Sequence, residues 1–300
     1  MTASPAVTVL IPTHDHGETL RYSVPTALGQ TVRNIEVFIV GDGVPDVTRE
    51  IVRGFVASDQ RVRFFDFPKG PSRGELHRHE ALREAKGEIV CYLWDDDLWL
   101  PDHVAVVQEL LRNADFAFTM PVTIRPDGEP SASAVDLSRP LHRRLFTDPM
   151  SSSASVPTCA AHTMALYRHL PEGWRTTPPG LAPDKYMWAQ CLADPATVAV
   201  STSRPTAVIF PDPARRDWPW ERRLAELGAW SRGLNDPAWQ RRFFIEVIEA
   251  MARDSARHLE IVWRLYALSL RLPFGNLMRS AGRRVLEWDK RPKATRPPLG

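Results

Sequence analysis

The most constraining feature of this chain is an apolar run that leads directly into three consecutive carboxylates. The run extends from Ile89 to Trp94, and Asp95, Asp96 and Asp97 follow it without a break. An uninterrupted apolar run predicts a strand covered on both faces, as in a parallel sheet flanked by helices. Because open α/β sheets bind ligands beyond the carboxyl ends of their strands, the three aspartates predict a ligand site.

Three adjacent like charges favour a cation among them. A hard divalent ion with oxygen ligands, Mg²⁺ or Mn²⁺, is the natural candidate. The alternative is a solvated acidic turn that caps the next helix, which we place near Pro101 because proline suits a first helical turn. The buried strand ahead of the aspartates favours the metal site.

Strand patterns alternate with helical patterns over the first 112 residues, and this alternation predicts βαβ units and a parallel sheet. Residues 113–215 are less regular and include two predicted edge strands, Val198–Ser201 and Ala207–Phe210. From Trp218 onward the pattern is helical. We therefore predict an α/β domain over residues 1–215 and a helical extension over 216–300 that ends in a mobile, basic, proline-rich tail.

Composition excludes several classes of protein. With 43% hydrophobic and 25% charged residues, the chain has the make-up of a soluble globular protein. Its three cysteines form no CxxC pair, which argues against a zinc site or a disulfide framework. We find no signal peptide and no apolar run long enough to span a membrane, and we expect a cytoplasmic protein.

The net charge of +2 conceals an uneven distribution. Residues 241–300 hold 13 Lys and Arg against 6 Asp and Glu, whereas the preceding residues are net acidic. Residues 256–288 mix arginines with aromatic and aliphatic residues, a pattern typical of helices that lie on an anionic membrane. The alternative is that these helices pack on the rest of the protein or on a second subunit in a homodimer. Nothing indicates a nucleic-acid partner.

Four motifs occur in a fixed order along the chain: VLIPTHDH, VFIVGDG, PSRGELHRHEAL and KGEIVCYLWDDDLWLPDH. With these motifs, residues 6–210 resemble a family 2 glycosyltransferase, most nearly the small spore-coat-polysaccharide type. The resemblance implies a GT-A fold, which is a mostly parallel mixed sheet flanked by helices. It also implies transfer of one sugar, with inversion, from a nucleoside-diphosphate-sugar to an acceptor hydroxyl.

The resemblance implies a donor site at the ends of the first strands. Asp42 accepts a hydrogen bond from the imide of uracil or thymine, Asp95 holds the ribose, and Asp96 binds the metal at the diphosphate with Asp97 in reserve. The other implied nucleotide-sugar-binding residues are Pro12, Thr13, His14, Arg73 and Arg78. The donor would therefore be a UDP- or dTDP-sugar. Asp42 as a simple turn residue, and the arginines as solvated charges, stay open as alternatives.

The sequence departs from the family at Trp94, where many members carry the first aspartate of the acidic motif. Asp95 and Asp96 must then bind the ribose and the metal in place of the usual aspartates of that motif. The departure keeps a catalytically impaired nucleotide-sugar-binding or scaffold protein open as an alternative. A Mg²⁺-dependent phosphohydrolase fits less well, since its nucleophile motif is absent from the first strand. A dinucleotide oxidoreductase is excluded because no GxGxxG follows a strand.

Inverting transfer also needs a base for the acceptor hydroxyl. In the family this is an acidic residue at the start of a helix after the acidic motif, a position that Asp184 fits. The alternative is that Asp184 merely caps that helix. The resemblance also implies that His162 lies close to the acceptor. Trp99 is predicted on that side as a core residue or pocket wall, and a specific platform for the sugar is the alternative. The acceptor class, whether saccharide, lipid-linked or small molecule, is left open, and the absence of a Q-x-x-R-W segment argues for single-sugar transfer.

Overall fold

The computed structural model of the protein describes residues 4–148 and 155–269, so the predicted proline-rich tail lies outside the described residues. The described residues form one mixed sheet flanked by helices, which confirms the predicted α/β class. The strands are β1 Val7–Thr13, β2 Ile35–Asp42, β3 Val62–Phe67, β4 Ile89–Tyr92, β5 Leu98–Trp99, β6 Phe116–Ile124, β7 Pro130–Ala132, β8 Ala160–Thr163 and β9 Ala199–Ile209. The helices are α1 Leu20–Leu28, α2 Asp46–Ser58, α3 Glu75–Leu82, α4 His103–Leu110, α5 Pro140–Thr147, α6 Met164–His169, α7 Pro183–Cys191, α8 Trp220–Gly233 and α9 Pro237–Ser269.

The order of the strands brings the predicted site residues to one edge of the sheet. The strands lie in the order β3-β2-β1-β4-β8-β6-β9-β5, with β7 paired to β6. Strands β3, β2, β1 and β4 run parallel to one another, as predicted. β8 is antiparallel to both β4 and β6. Because parallel strands end at the same edge, the residues that follow β1, β2 and β4 meet there.

The prediction of two edge strands near residues 198–210 is wrong. Both segments belong to β9, which pairs with β6 on one side and β5 on the other. The middle of β9 is polar and exposed at Ser203 and Arg204, where the pairing with β6 shifts register, and this hides the continuity of the strand in the sequence. Leu98 and Trp99 form β5, so the helix expected near Pro101 begins only at His103.

A buried polar cluster joins β1, β2 and the turn before β4. The Glu36 carboxylate accepts hydrogen bonds from Thr8 Oγ1 at 2.7 Å, the Lys86 amide at 2.6 Å and the Gly87 amide at 3.1 Å. A Cβ atom at Gly87 would lie 2.4 Å from the backbone nitrogen of Thr8. The KGE segment therefore needs its glycine because the chain passes directly over β1.

The C-terminal helices divide between two compact units. Residues up to Ile248 form the first unit, which includes α8, and Glu249 onward forms the second. α8 packs close to α1, since a Cβ at Gly228 would lie 3.3 Å from the Tyr22 ring. The predicted domain boundary after residue 215 rested on the helical pattern that begins at Trp218, and it stays a prediction. Among the described residues, no helix combines the length and apolar character that crossing a membrane requires.

Candidate active site

The three aspartates form a buried turn directly after β4, and each is less than 10% exposed. Asp97 has both oxygens engaged by the protein: the Phe210 amide donates to Oδ1 at 3.0 Å and Thr158 Oγ1 donates to Oδ2. These bonds tie the turn to the end of β9 and to the segment before β8. Asp97 therefore holds the turn in place, and of the two predicted metal ligands only Asp96 lacks such backbone and hydroxyl donors among the described residues.

Asp96 is a buried carboxylate in an unfavourable electrostatic setting. Burial raises its pKa well above the ordinary value, and the neighbouring Asp97 and Asp95 raise it further. His16 and Arg223 act in the opposite direction. Nη2 of Arg223, on α8, donates to Oδ2 of Asp96 at 3.3 Å. Cationic side chains from two remote parts of the chain, His16 and Arg223, thus lie near the turn.

His16, in the loop after β1, is a site residue that sequence reasoning missed. Its Nδ1 lies 3.7 Å from Oδ1 of Asp95, and Nε2 lies 3.8 Å from Asp212. The interaction with Asp95 is the main cause that raises the pKa of His16 to about 9. His16 is therefore protonated at neutral pH. The available signal was the place of His16 in the HDH sequence just after β1, at the edge where the parallel strands end.

The residues present fit a divalent cation bound jointly with a substrate. In the two described segments, no three His, Cys, Asp or Glu side chains converge on a common point. Mg²⁺ usually binds through one or two carboxylates together with substrate phosphates, so a complete protein cage is not required. Asp96, desolvated and flanked by like charges, is a suitable carboxylate. The metal assignment stays a prediction.

Asp42 lies at the end of β2 and is held by several donors. Lys69 Nζ donates to Oδ2 at 2.6 Å, and the Gly70 amide donates to Oδ1 at 2.6 Å. Although burial opposes ionisation, these bonds keep the pKa of Asp42 below its ordinary value. Gly74, with φ of +64°, passes so close that a Cβ there would lie 2.5 Å from Cγ of Asp42. Lys69 is a neighbour that sequence reasoning did not identify.

The end of β1 lies beside Asp42. His14 Nδ1 lies 2.6 Å from the carbonyl oxygen of Asp42, so the VLIPTHDH and VFIVGDG motifs meet. Thr13 is buried, and its hydroxyl finds no hydrogen-bond partner in the described part of the protein. Pro12 is half-buried in the same strand. The structure therefore brings Pro12, Thr13 and His14 close to Asp42, and their role in a nucleotide pocket stays a prediction.

Arg78 and Arg73 differ in burial. Arg73 is exposed, whereas Arg78 is 5% exposed and lies between two indole rings, with its guanidinium 5.0 Å from Trp94 and 4.7 Å from Trp174. Nε and Nη1 of Arg78 have no hydrogen-bond partner within the described residues. The alternative that Arg78 is a solvated charge is wrong. Trp94, the departure from the family pattern, supplies one face of this sandwich.

Asp184 lies in the first turn of α7, but it does not cap that helix. The N-cap residue is Ala182, so the interpretation of Asp184 as an N-cap is wrong. Burial raises the pKa of Asp184 to about 6, and the positive charges of Arg78 and Arg73 partly offset that rise. Arg78 therefore interacts with the charge of Asp184 and also stacks on Trp94, which immediately precedes the acidic turn.

His162 and Trp99, both predicted on the acceptor side, lie in the core. His162 Nε2 lies 2.7 Å from the Tyr92 hydroxyl and Nδ1 lies 2.9 Å from the Thr163 carbonyl, and burial lowers its pKa to about 4. Trp99 donates from Nε1 to the Thr158 carbonyl at 2.9 Å. Their polar atoms are thus satisfied by the protein, and for Trp99 this agrees with the prediction of a core residue.

Comparison with known sequences supports the motif analysis. The family model described as "Glycosyl transferase family 2" matches residues 8–171. A putative teichuronic acid biosynthesis glycosyltransferase of Bacillus subtilis, TuaG, is 29% identical over 128 residues, which are 42% of this chain and 50% of the relative. A chondroitin synthase of Pasteurella multocida is 32% identical over 127 residues, 41% of this chain and 13% of the relative. The match therefore spans half or less of these relatives.

Solved structures show the same fold. S. aureus TarS 1–349 superposes with a TM-score of 0.53 at 17% identity, covering 76% of this chain and 65% of TarS. The mannosyltransferase PcManGT of Pyrobaculum calidifontis, solved with GDP-Man and Mn²⁺, superposes with a TM-score of 0.50 at 20% identity, covering 97% and 89%. At these identities the likeness shows the fold alone, and it confirms the predicted GT-A architecture.

Proposed function

This chain belongs to glycosyl transferase family 2, and we propose that it transfers a single sugar from a UDP- or dTDP-sugar to an acceptor hydroxyl with inversion at the anomeric carbon. The family makes it a glycosyltransferase. The inversion, the base and the divalent metal are our proposal, and the observation that carries it is the environment of Asp184.

Asp184 is suited to act as the general base. Its pKa of about 6 leaves it ionised at neutral pH but basic enough to accept a proton. We assign to Asp184 the removal of the acceptor hydroxyl proton as the oxygen attacks the anomeric carbon. Since Arg78 favours the ionised form of Asp184 and stacks on Trp94 next to the acidic turn, the base and the donor site are coupled through one side chain.

The donor is assigned to the edge where β1, β2 and β4 end. Asp42 and the residues at the end of β1 bind the base, and Asp95 binds the ribose. Asp96 is the residue that would hold a Mn²⁺ or Mg²⁺ ion, and such an ion, when bound, neutralises charge on the departing diphosphate. TarS has been solved with UDP-GlcNAc and PcManGT with GDP-Man and Mn²⁺, which supports a nucleotide-sugar donor and a divalent metal here.

The acceptor class is suggested by relatives. One is a Campylobacter jejuni enzyme named as a β-1,3-glucosyltransferase acting on GalNAc(5)-diNAcBac-PP-undecaprenol, 26% identical over 96 residues. A saccharide acceptor on a lipid carrier is therefore the first class to test for this chain. A free saccharide or a small molecule is the alternative.

The experiment begins with the donor. A panel of UDP-, dTDP- and GDP-sugars is added with Mn²⁺, and the melting temperature is followed, since a ligand that binds only the folded state raises it. The best donor is then incubated with lipid-linked and free saccharides, and the anomeric configuration of the product is read by NMR. Retained configuration would contradict the single displacement. Binding of nucleotide-sugar without hydrolysis or transfer would favour the scaffold alternative.

Metal dependence is tested at Asp96. Asp96→Asn should remove the Mn²⁺-dependent part of the activity and of the thermal shift, because it removes the carboxylate charge that attracts the ion. Asp127→Asn, in an exposed turn, is the matched control and should behave like the wild type. Activity that persists unchanged in the presence of a chelator would show the metal assignment to be wrong.

A further inference from the structure

Arg223 donates a hydrogen bond to Asp96, and it reaches the acidic turn from α8, 127 residues further along the chain. Its side chain is 8% exposed. Nη2 donates to Asp96 at 3.3 Å, while Nη1 donates to Oδ1 of Asp212 at 2.8 Å. The guanidinium also lies 5.2 Å from the centre of the Trp220 ring. One buried cation thus bridges a predicted metal ligand and a second carboxylate.

The position of α8 is secured by contacts other than the one with Asp96. Arg215, just before α8, forms a two-bonded pair with Glu226 at 2.6 and 2.7 Å and donates to the Ile124 carbonyl at 3.0 Å. Trp220 donates from Nε1 to Glu18. These bonds anchor α8 to the sheet and to the segment before α1 without using the bond between Arg223 and Asp96.

The protein itself offsets only part of the negative charge around Asp96. Carboxylates face this region from the turn (Asp95 and Asp97), from the loop after β1 (Asp15) and from the segment after β9 (Asp212), and cations face it as His16, Arg223 and, near Asp97, Arg215. Of these cations, Arg223 is the one hydrogen-bonded to Asp96. A divalent ion on Asp96 would meet this guanidinium at close range, and like charges repel.

We propose that Arg223 is a built-in counter-ion for Asp96, which a divalent cation must displace before it binds. Arg223 is in this sense a positioning residue: it keeps Asp96 oriented and neutralised until metal and donor arrive together, and it lowers the affinity of the empty site for metal alone. The proposal rests on the proposed role of Asp96 as metal ligand. It assigns to α8 a function in the donor site that the four sequence motifs do not contain.

The test measures Mn²⁺ binding without nucleotide by isothermal titration calorimetry. Arg223→Gln should bind Mn²⁺ roughly tenfold more tightly than the wild type. Repulsion between a unit charge and a divalent ion a few ångströms apart changes Kd by about a factor of ten even in water. Arg223→Lys keeps the charge and should stay near the wild-type Kd. Arg222→Gln removes one charge from the exposed face of the same helix and should change nothing. A merely structural role of Arg223 would weaken binding or leave it unchanged, so the gain in affinity is diagnostic.

Further variants separate this proposal from the proposed function. In Asp96→Asn/Arg223→Gln the gain should disappear, because both partners of the competition are gone. Mn²⁺ binding that depends on Asp96 but is unchanged or weakened in Arg223→Gln overturns the counter-ion proposal alone. If wild type and Arg223→Gln both fail to bind Mn²⁺ even with UDP present, or if Asp96→Asn binds as well as wild type, the metal site of the proposed function fails, and the counter-ion proposal fails with it.

Discussion

Single residues in this site owe their chemistry to the balance between burial and hydrogen bonding. Asp184 is half-buried, and the desolvation of its carboxylate raises its pKa to about 6, whereas Asp42, held by Lys69 and a backbone amide, has a pKa below its ordinary value. Two aspartates of the same site therefore have different protonation behaviour and different roles. A carboxylate that titrates near neutrality can exchange a proton with a hydroxyl, and one that stays ionised can only accept hydrogen bonds.

The role of Asp184 predicts a pH dependence. A base must be ionised, so kcat should fall as the pH drops below about 6, the pKa of Asp184, and level off above it. Asp184→Asn should lower kcat by a factor of about 10² to 10⁴ with little change in donor affinity. Asp194→Asn, exposed in the loop after α7, is the control. A variant that loses donor affinity but keeps its turnover would move Asp184 from catalysis to binding.

Arg78 should set the position of that pH profile. Its charge lowers the pKa of Asp184, so Arg78→Gln removes this effect and the pKa of Asp184 should rise above about 6. The acidic limb of the kcat profile should then move to higher pH. Arg83→Gln lies on the exposed part of the same segment, where Arg83 pairs with Glu80, and it should leave the limb in place. An unshifted limb in Arg78→Gln would contradict the electrostatic coupling.

At the scale of elements, the acidic turn depends on how β4 enters the sheet. The chain reaches β4 by passing over β1 at Gly87. There the Glu36 carboxylate accepts hydrogen bonds from the backbone amides of Lys86 and Gly87. These bonds satisfy backbone groups that would otherwise be buried without partners, and each such group costs about 1–3 kcal/mol. The KGE segment is thus part of what positions the carboxyl end of β4.

Gly87→Ala should therefore destabilise the protein strongly. The new Cβ would lie 2.4 Å from the Thr8 nitrogen and 2.6 Å from the Val7 carbonyl carbon, and backbone cannot give way as a flexible side chain does. We expect a loss of about 3 kcal/mol or more in the free energy of unfolding, measured in urea. Gly54→Ala is the matched control: no atom lies within 4 Å in the interior of α2, and the change should stabilise by about 0.5–1 kcal/mol. Equal midpoints for both variants would contradict the close approach.

At the scale of the whole molecule, the C-terminal part of the chain exposes apolar side chains. On α9, Ile245, Ile248 and Leu259 are 57%, 66% and 60% exposed. The basic excess of residues 241–300 falls in the same part of the chain. Apolar side chains beside arginines are suited to an anionic lipid surface. Peripheral membrane contact is therefore a proposal, and packing against a second copy in a homodimer is the alternative.

Co-sedimentation with liposomes decides between them. With vesicles of anionic lipid at low salt, the full chain should pellet, and a chain that lacks residues 256–300 should stay in the supernatant. Added salt should release the full chain, because the attraction is screened. Vesicles of neutral lipid serve as the control. Equal recovery in the supernatant with and without anionic lipid, together with a dimer by light scattering, would favour the second copy.

The sequence by itself determined that strands alternate with helices over the first 112 residues, that the first strands form a parallel sheet, and where the acidic turn lies. These follow from hydrophobic periodicity and from short motifs, which are local properties. The ligand edge followed as well, since strands that alternate with helices end on one side of the sheet. The positions of Asp42 and Asp96 at that edge were therefore predictable, and so was the α/β class, whereas Asp184 was assigned through the family resemblance.

Only the tertiary structure decided how the three adjacent aspartates differ. Asp97 receives donors from Thr158 and Phe210, 61 and 113 residues away, and Asp96 receives Arg223 from α8. Burial of His162 and Trp99, and the union of two short segments in β9, were decided in the same way. Contacts between residues remote in sequence leave no period or spacing in the chain, and the pKa of a carboxylate depends on the water and charges that packing leaves around it.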